Sequence, residues 1–397
     1  MTKSKKIIRI SLYFIATIAI VVIASYFSAH LWGGKEEELP EDIELVMSDN
    51  MTMGQFGKQN AIPNPVLKQT FNLQSKSDLQ KKLTDFALTD RQIESAIRKN
   101  MALSAEYESK NWIKIPIKFA LWFAFLIMVF IFMHRRMLKV KLRKRLYFSA
   151  ILIFGIILGS DPSPMGTVKD AVYLLGSKGV IFPPRMIALG VFIIMVLLAN
   201  KFICSWGCQF GVLQDFIFRI NRRKKDRGGL FRQYKPPFVV TNSIRVGFFA
   251  IFSVAAFLWA VDIISPIDPF KIYKPGVIMI GGGIFIGIIL IASLFIYRPW
   301  CYLFCPFGLV GWLVEKISIF KIKVNYDTCI ACESCARACP STVMQAILKR
   351  ESTISDCFAC GNCVDVCPTD SVSFSSGIRQ KPPEGKFEGK IKIDRKK

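Results

Sequence analysis

The sequence predicts an all-α polytopic membrane protein, with about six transmembrane helices, that carries a small C-terminal α+β domain. Three observations lead there. Of 397 residues 52% are apolar, yet 53 Lys and Arg stand against 29 Asp and Glu, a formal charge of +24. Six apolar stretches approach the roughly 20 residues needed to cross a bilayer. All twelve cysteines fall between Cys204 and Cys367, in short spaced motifs. Disordered chains pair high charge with few apolar residues and collagen-like chains need a glycine period, so both classes are excluded, and an ordinary soluble enzyme is not expected.

The predicted spans lie near Ile10–Trp32, Ile115–Met133, Leu146–Ser160, Met186–Ile203, Ser243–Ile264 and Gly276–Tyr297. The third is short, reaching only ~22 Å at ~1.5 Å per residue. Either Lys144 and Arg145 snorkel to extend it, or it is a half-span buried against neighbours. Gly283-x-x-x-Gly287 in the last span has the spacing that lets helices approach closely, with simple flexibility as the alternative.

Charge sets the orientation. Segments 1–9, 134–145 and 201–237 hold twenty basic residues against Asp215 and Asp226, which is +18 of the +24. Short cytoplasmic loops are enriched in Lys and Arg. Both termini and the cysteine-bearing loop ends are therefore expected in the cytoplasm, with 33–112 outside. Lys3-Ser-Lys-Lys6 opens an apolar region too long for a cleaved signal, so residues 1–32 read as an uncleaved anchor. The run Arg222-Arg-Lys-Lys225 reads as a topology signal against anionic lipid, and no nucleic-acid partner is expected.

Residues 33–112 carry ten basic and thirteen acidic residues. Thr52-x-x-Gln55 and Thr89-x-x-Gln92 fit capping boxes, and Asn64-Pro65 fits a helix start. A three- or four-helix unit is expected, either docking an extracytoplasmic partner or purely structural. It has no Cys, and the only nearby His is His30 at the membrane edge, so no metal site is expected there.

The tail contains Cys329-x-x-Cys332-x-x-Cys335-x-x-x-Cys339-Pro340 and then Cys357-x-x-Cys360-x-x-Cys363-x-x-x-Cys367-Pro368. Four thiolates must surround a cubane; one tight loop supplies three, and in two-cluster bacterial ferredoxins the other motif supplies the fourth. Cys329, Cys332, Cys335 and Cys367 are assigned to one [4Fe-4S] cluster. Cys357, Cys360, Cys363 and Cys339 are assigned to a second. Zinc and disulfides fit two full runs of this spacing poorly. Alternation through Ile322, Val324 and Tyr326, and at Val372 and Phe374, predicts flanking strands. Tyr326, Phe358 and Phe374 are expected to shield the clusters.

Two further pairs, Cys204-x-x-x-Cys208 and Cys301-x-x-x-Cys305, follow spans in matched surroundings, Cys-Ser-Trp-Gly-Cys-Gln-Phe-Gly against Cys-Tyr-Leu-Phe-Cys-Pro-Phe-Gly. At the cytoplasmic membrane surface these four thiols could hold a third iron–sulfur site or form a redox dithiol; buried apolar cysteines are the plainer alternative.

Six spans, two such pairs and a two-cluster tail resemble the membrane polyferredoxins of the NosR/NapH type, with the CcoG/RdxA accessory ferredoxins more distant. The resemblance covers about residues 113–375. It implies electron transfer between a cytoplasmic or quinol donor and a redox partner outside, with cytoplasmic redox proteins as further partners. Gln209 departs from the family's proline. Residues 33–112 lack the flavin-carrying motif of the NosR branch, which favours a NapH-like role. Thr167, in Asp161-Pro-Ser-Pro-Met-Gly-Thr167, is not expected to carry covalent FMN. A quinone among the aromatic spans is compatible, and assembly of an exported metalloenzyme is the alternative role. The organisation expected is a cytoplasmic start and anchor at 1–32, an extracytoplasmic unit at 33–112, a membrane domain at 113–320, a ferredoxin domain at 321–376 and a disordered basic tail at 377–397. With no cysteine outside, and His30 and His134 at opposite faces, the chain offers no evident route across the bilayer.

Overall fold

The computed structural model describes residues 3–32, 45–48, 50–86, 89–108, 112–179, 181–222, 229–349, 351 and 353–387. Residues 33–44, most of the basic run 222–225 and the tail end 388–397 lie outside the described residues. The fold is mostly helical. Helix α1 (Lys3–Trp32) is long and apolar, and its faces are largely exposed, as suits a lipid-facing anchor.

A small unit follows, with its own core. The capping box at Thr52 forms and starts α2 (Met53–Gln59), and α3 (Asn64–Phe71) carries proline in its first turn. The Thr89 amide donates to the Gln92 side chain ahead of α4 (Asp90–Glu108). Met53, Phe56, Val66, Leu67, Ile93 and Ile97 bury one another. Lys81 and the Ser75 and Gln74 amides hold the partly buried Asp78 carboxyl at about 2, against 3.8 ordinarily. That lowered value contributes stability fully above pH 3.8, and the contribution is lost as pH falls towards 2. An Asp78→Asn variant should melt below wild type at pH 6 by a margin that narrows as pH falls to 2; a gap equally wide at pH 2 would contradict this.

The membrane body contains α5 (Lys114–His134), α6 (Val140–Ala150), a π-helical turn at Ile151–Ile157, α7 (Pro164–Lys178) and α8 (Pro183–Ala199). Short α9 (Phe202–Trp206) leads into α10 (Gln209–Ile220), and α11 (Phe238–Trp259) follows. After 3-10 turns at Ser265–Ile267, Pro269–Tyr273 and Pro275–Val277 come α12 (Ile280–Ala292), α13 (Pro299–Leu303) and α14 (Pro306–Glu315). Among the described residues three helices, α1, α5 and α11, are long and apolar enough to cross a membrane.

The other three expected spans are shorter. The third breaks into α6 and the π turn, and Lys144 donates to Arg219 O instead of reaching for headgroups. The fourth ends where Asn200 takes a left-handed φ of 62°. The sixth stops at Ala292, and Tyr234 then pairs with the backbone at Phe295. Close approach there belongs to Gly282, where a Cβ would lie 2.3 Å from Pro266 O; Gly287 has open space around it. The loop 161–185 holds α7, which is capped by Ser163 and packs on α8, α11 and α14.

In the C-terminal domain β1 (Phe320–Val324) pairs antiparallel with β2 (Val372–Ser376), Ile322 opposite Phe374. Between them lie α15 (Ser334–Ala338), α16 (Val343–Leu348) and α17 (Asn362–Asp365). Residues 377–387 pack back on the domain instead of trailing free. Arg379 donates to Ile322 O, Lys386 to Tyr326 O, and the Phe387 ring meets Tyr326.

Candidate metal centres

Each tail motif bends through two consecutive reversals. Ala331 and Glu333 flank Cys332 at φ 53° and 55°; Ala359 and Gly361 flank Cys360 at φ 46° and 77°. A left-handed residue other than glycine costs about 1–2 kcal/mol. Two in one loop persist only where the surroundings hold them, and here they turn successive thiols toward one centre.

Two cavities result, and each draws on both motifs. One is lined by Cys329, Cys332, Cys335 and Cys367, walled by Leu348, Val372 and Phe387. The other is lined by Cys339, Cys357, Cys360 and Cys363, walled by Met344, Phe358 and Tyr297. Of the expected shields Phe358 lines the second cavity. Tyr326 lies within electrostatic reach of Cys329 and Cys335 and packs on Phe387, which lines the first, whereas Phe374 packs on Phe130 and Phe202 of the membrane body. The first cavity is the outer one, with Cys329, Cys332 and Cys367 partly exposed; three cysteines of the second are buried. Burial pushes the Cys335 and Cys357 thiols up to about 12, and a thiol so buried ionises only if a cation takes up its charge. Among the described residues no His, Cys, Asp or Glu group is placed to hold a single metal ion. A cubane does not require one, since each of its irons takes a separate thiolate.

The second motif is clamped to the membrane body by buried polar contacts. Asp356 receives Lys201 and, at 2.8 Å, Arg245. Asn362 Oδ1 receives Arg143 and, at 3.0 Å, Arg219. Trp206 donates to Ala359 O at 3.2 Å, and Cys357 N donates to Glu315 at 3.3 Å. By contrast the Arg136–Asp370 pair lies at the exposed rim.

The four span cysteines also converge. All are buried, and each lies within electrostatic reach of the other three. The two motifs are built alike. Cys208 and Cys305 stand at the N-termini of α10 and α14, where their sulfurs accept the amides of Gly211 and Gly308. A Cβ at Gly211 would lie 2.5 Å from Cys204 O, and one at Gly308 2.7 Å from Cys301 O, so the repeated glycine is sterically required. The basic residue three positions before each motif crosses to the other. Lys201 donates to Gly308 O at 2.6 Å, and Arg298 to Cys204 O at 2.5 Å. Asp215 completes this network by accepting Arg298, Arg219, Tyr147 and Tyr297. Thr167 is buried and donates to Pro164 O. Asp262 caps the turn at Ile264 and pairs with Lys169.

Sequence reasoning missed Lys201, Arg245, Arg298, Asp215 and Asp356. The matched position of Lys201 and Arg298 before each cysteine pair was the available signal.

Comparison with known proteins agrees with this geometry. Residues 322–374 match a 4Fe-4S dicluster domain. Residues 181–228 and 278–325 each match a 4Fe-4S binding domain, which places each span cysteine pair within one repeat. The chain thus carries ferredoxin-type 4Fe-4S domains in a mostly helical body with apolar, membrane-length helices. The chain is 30% identical over 191 residues to the "Putative electron transport protein YccM" of Escherichia coli, covering 45% of this chain and 53% of that protein. It therefore spans about half the length of this curated relative. An uncharacterized protein of Methanocaldococcus jannaschii is 25% identical over 210 residues, covering 51% of this chain and 74% of the relative. No solved structure matches.

Proposed function

We propose that the chain is a membrane-bound iron–sulfur electron-transfer protein of the NosR/NapH-like polyferredoxin kind. In this reading it relays electrons between a cytoplasmic or quinol donor and a membrane or extracytoplasmic partner, with both termini on the cytoplasmic side of the inner membrane. The observation that carries it is the pair of cavities, each gathering three cysteines of one motif and the fourth of the other. A [4Fe-4S] cluster bound in each would store and release one electron at a time. The residues do the rest. Leu348, Val372 and Phe387 exclude water from the outer cavity while three of its cysteines remain near the surface for a soluble partner. The clamp through Asp356 and Asn362 fixes the inner cavity against the membrane helices. The YccM relative and the 4Fe-4S models support electron transport as the role.

A third site at Cys204, Cys208, Cys301 and Cys305 belongs to the same proposal. It is supported by the mutual reach of the four thiols and by the helix N-termini behind two of them. Anaerobic iron and sulfide analysis tests the whole reading. Three four-iron sites give about twelve iron atoms per chain, and two give about eight. The Cys204→Ala, Cys301→Ala variant is expected to drop from about twelve to about eight while the EPR of the tail clusters persists. A wild-type count of eight, unchanged in the variant, would remove the third site.

A further inference from the structure

We infer that the four span thiols lie within the thickness of the bilayer and open to the extracytoplasmic face through the turn Pro269–Tyr273, so that this chain alone joins the two faces. The inference rests on the iron–sulfur reading above and goes beyond it. From sequence, the same cysteines belong at the cytoplasmic surface, with no route onward.

Helix α5 supplies a ruler. Trp122 donates to Gly207 O at 3.0 Å, and a Cβ on Gly207 would meet its ring. At ~1.5 Å per residue Trp122 stands about 12 Å from the outer end of α5 and about 18 Å from the inner end. Helix α11 supplies a second. Arg245, which donates to Cys301 O at 3.3 Å, stands about 10 Å in from the cytoplasmic end. Both motifs are therefore well inside a hydrocarbon layer of roughly 30 Å.

From the other side, the turn between α11 and α12 reaches the same residues. The Tyr273 hydroxyl donates at 3.1 Å to the carbonyl of Gln209, the residue after Cys208. The Phe270 ring lies 6.0 Å from that of Phe210. The next residue, Lys274, is half-exposed and pairs with Asp161 at 2.7 Å, beside the outer end of α5. One side chain thus separates the outer aqueous surface from the cysteine motif. On the inner side Trp206, between Cys204 and Cys208, donates to Ala359 of the second tail motif. The contacts Trp206–Ala359 and Tyr273–Gln209 thus stand on either side of Cys208, one towards the C-terminal domain and the other towards the outer turn, with no mobile carrier needed between them.

The test uses full-length protein, its iron content measured first, in sealed quinone-free vesicles with the C-terminal domain outward. Dithionite outside supplies electrons, and ferricyanide trapped inside accepts one electron per ion to become ferrocyanide. Trapped ferricyanide is expected to be consumed, at least tenfold more slowly in the Cys204→Ala, Cys301→Ala variant, whose tail clusters still reduce by EPR. A structural readout accompanies it. A spin label on Lys274→Cys should react with impermeant reagents only from the vesicle lumen. Its relaxation should quicken on reduction of the protein, and not in the double variant. Full iron content with ferricyanide untouched, transfer only after quinone is added, or labelling of position 274 from the dithionite side would each overturn the inference. A shortfall of iron would instead count against the cluster reading beneath it.

Discussion

Asp356→Asn is expected to loosen the C-terminal domain from the membrane helices and to cost about 3–5 kcal/mol, the loss typical of breaking a buried ion pair from one side. Asp356 is fully buried between Lys201 and Arg245. Asparagine keeps its shape and loses its charge, leaving two cations without their counter-charge in a low-dielectric interface. Lys201 would keep Gly308 O and Arg245 would keep Cys301 O and Asn242, so hydrogen bonds remain while the electrostatic balance fails. Thermal unfolding, together with protease cleavage near residues 316–319 that releases the domain, reads the effect. Asp370→Asn is the control. Its partner Arg136 is a third exposed and Asp370 itself is mostly exposed, so the expected change is within about 1 kcal/mol. Equal melting of the two variants would show that the Asp356 clamp does not hold the interface.

That clamp shows where the sequence stops being legible. The tail motifs could be read because four-iron clusters demand thiols at fixed spacing, and the glycines after Cys208 and Cys305 because a Cβ there would strike a carbonyl. The anchor and the spans at α5 and α11 were visible because lipid-facing helices must be apolar throughout. The other three expected spans form shorter helices, and the sequence hid this for the converse reason. Apolar composition is equally needed by short helices buried against neighbours, and nothing local marks where Asn200 or Ser293 ends one. Lys201 counted towards the cytoplasmic charge excess, Arg245 fell inside an expected span and Arg298 directly after another. Their burial is set by partners far along the chain, Asp356 and Asp215, which no periodicity links.

The crossed assignment of the tail cysteines predicts an outcome that spacing by motif would not. Cys329→Ala and Cys367→Ala, in different motifs, should lose the same cluster, about four iron atoms, and leave the same EPR signal. Cys329→Ala and Cys339→Ala, in one motif, should lose different clusters and leave different signals. The reason is geometric: Cys367 closes the cavity of Cys329, Cys332 and Cys335, and Cys339 closes that of Cys357, Cys360 and Cys363. The two losses should also differ in severity. Cys339 follows Ala338, whose carbonyl accepts Arg222 and Asn362, so the inner cavity shares its wall with the membrane interface. Ligand binding free energy is folding free energy wherever the site is formed by folding. Cys339→Ala should therefore weaken docking and lower the melting temperature more than Cys367→Ala, whose cavity faces outward. Identical EPR from Cys329→Ala and Cys339→Ala would mean that each motif holds its own cluster, and the two cavities would then need a different account.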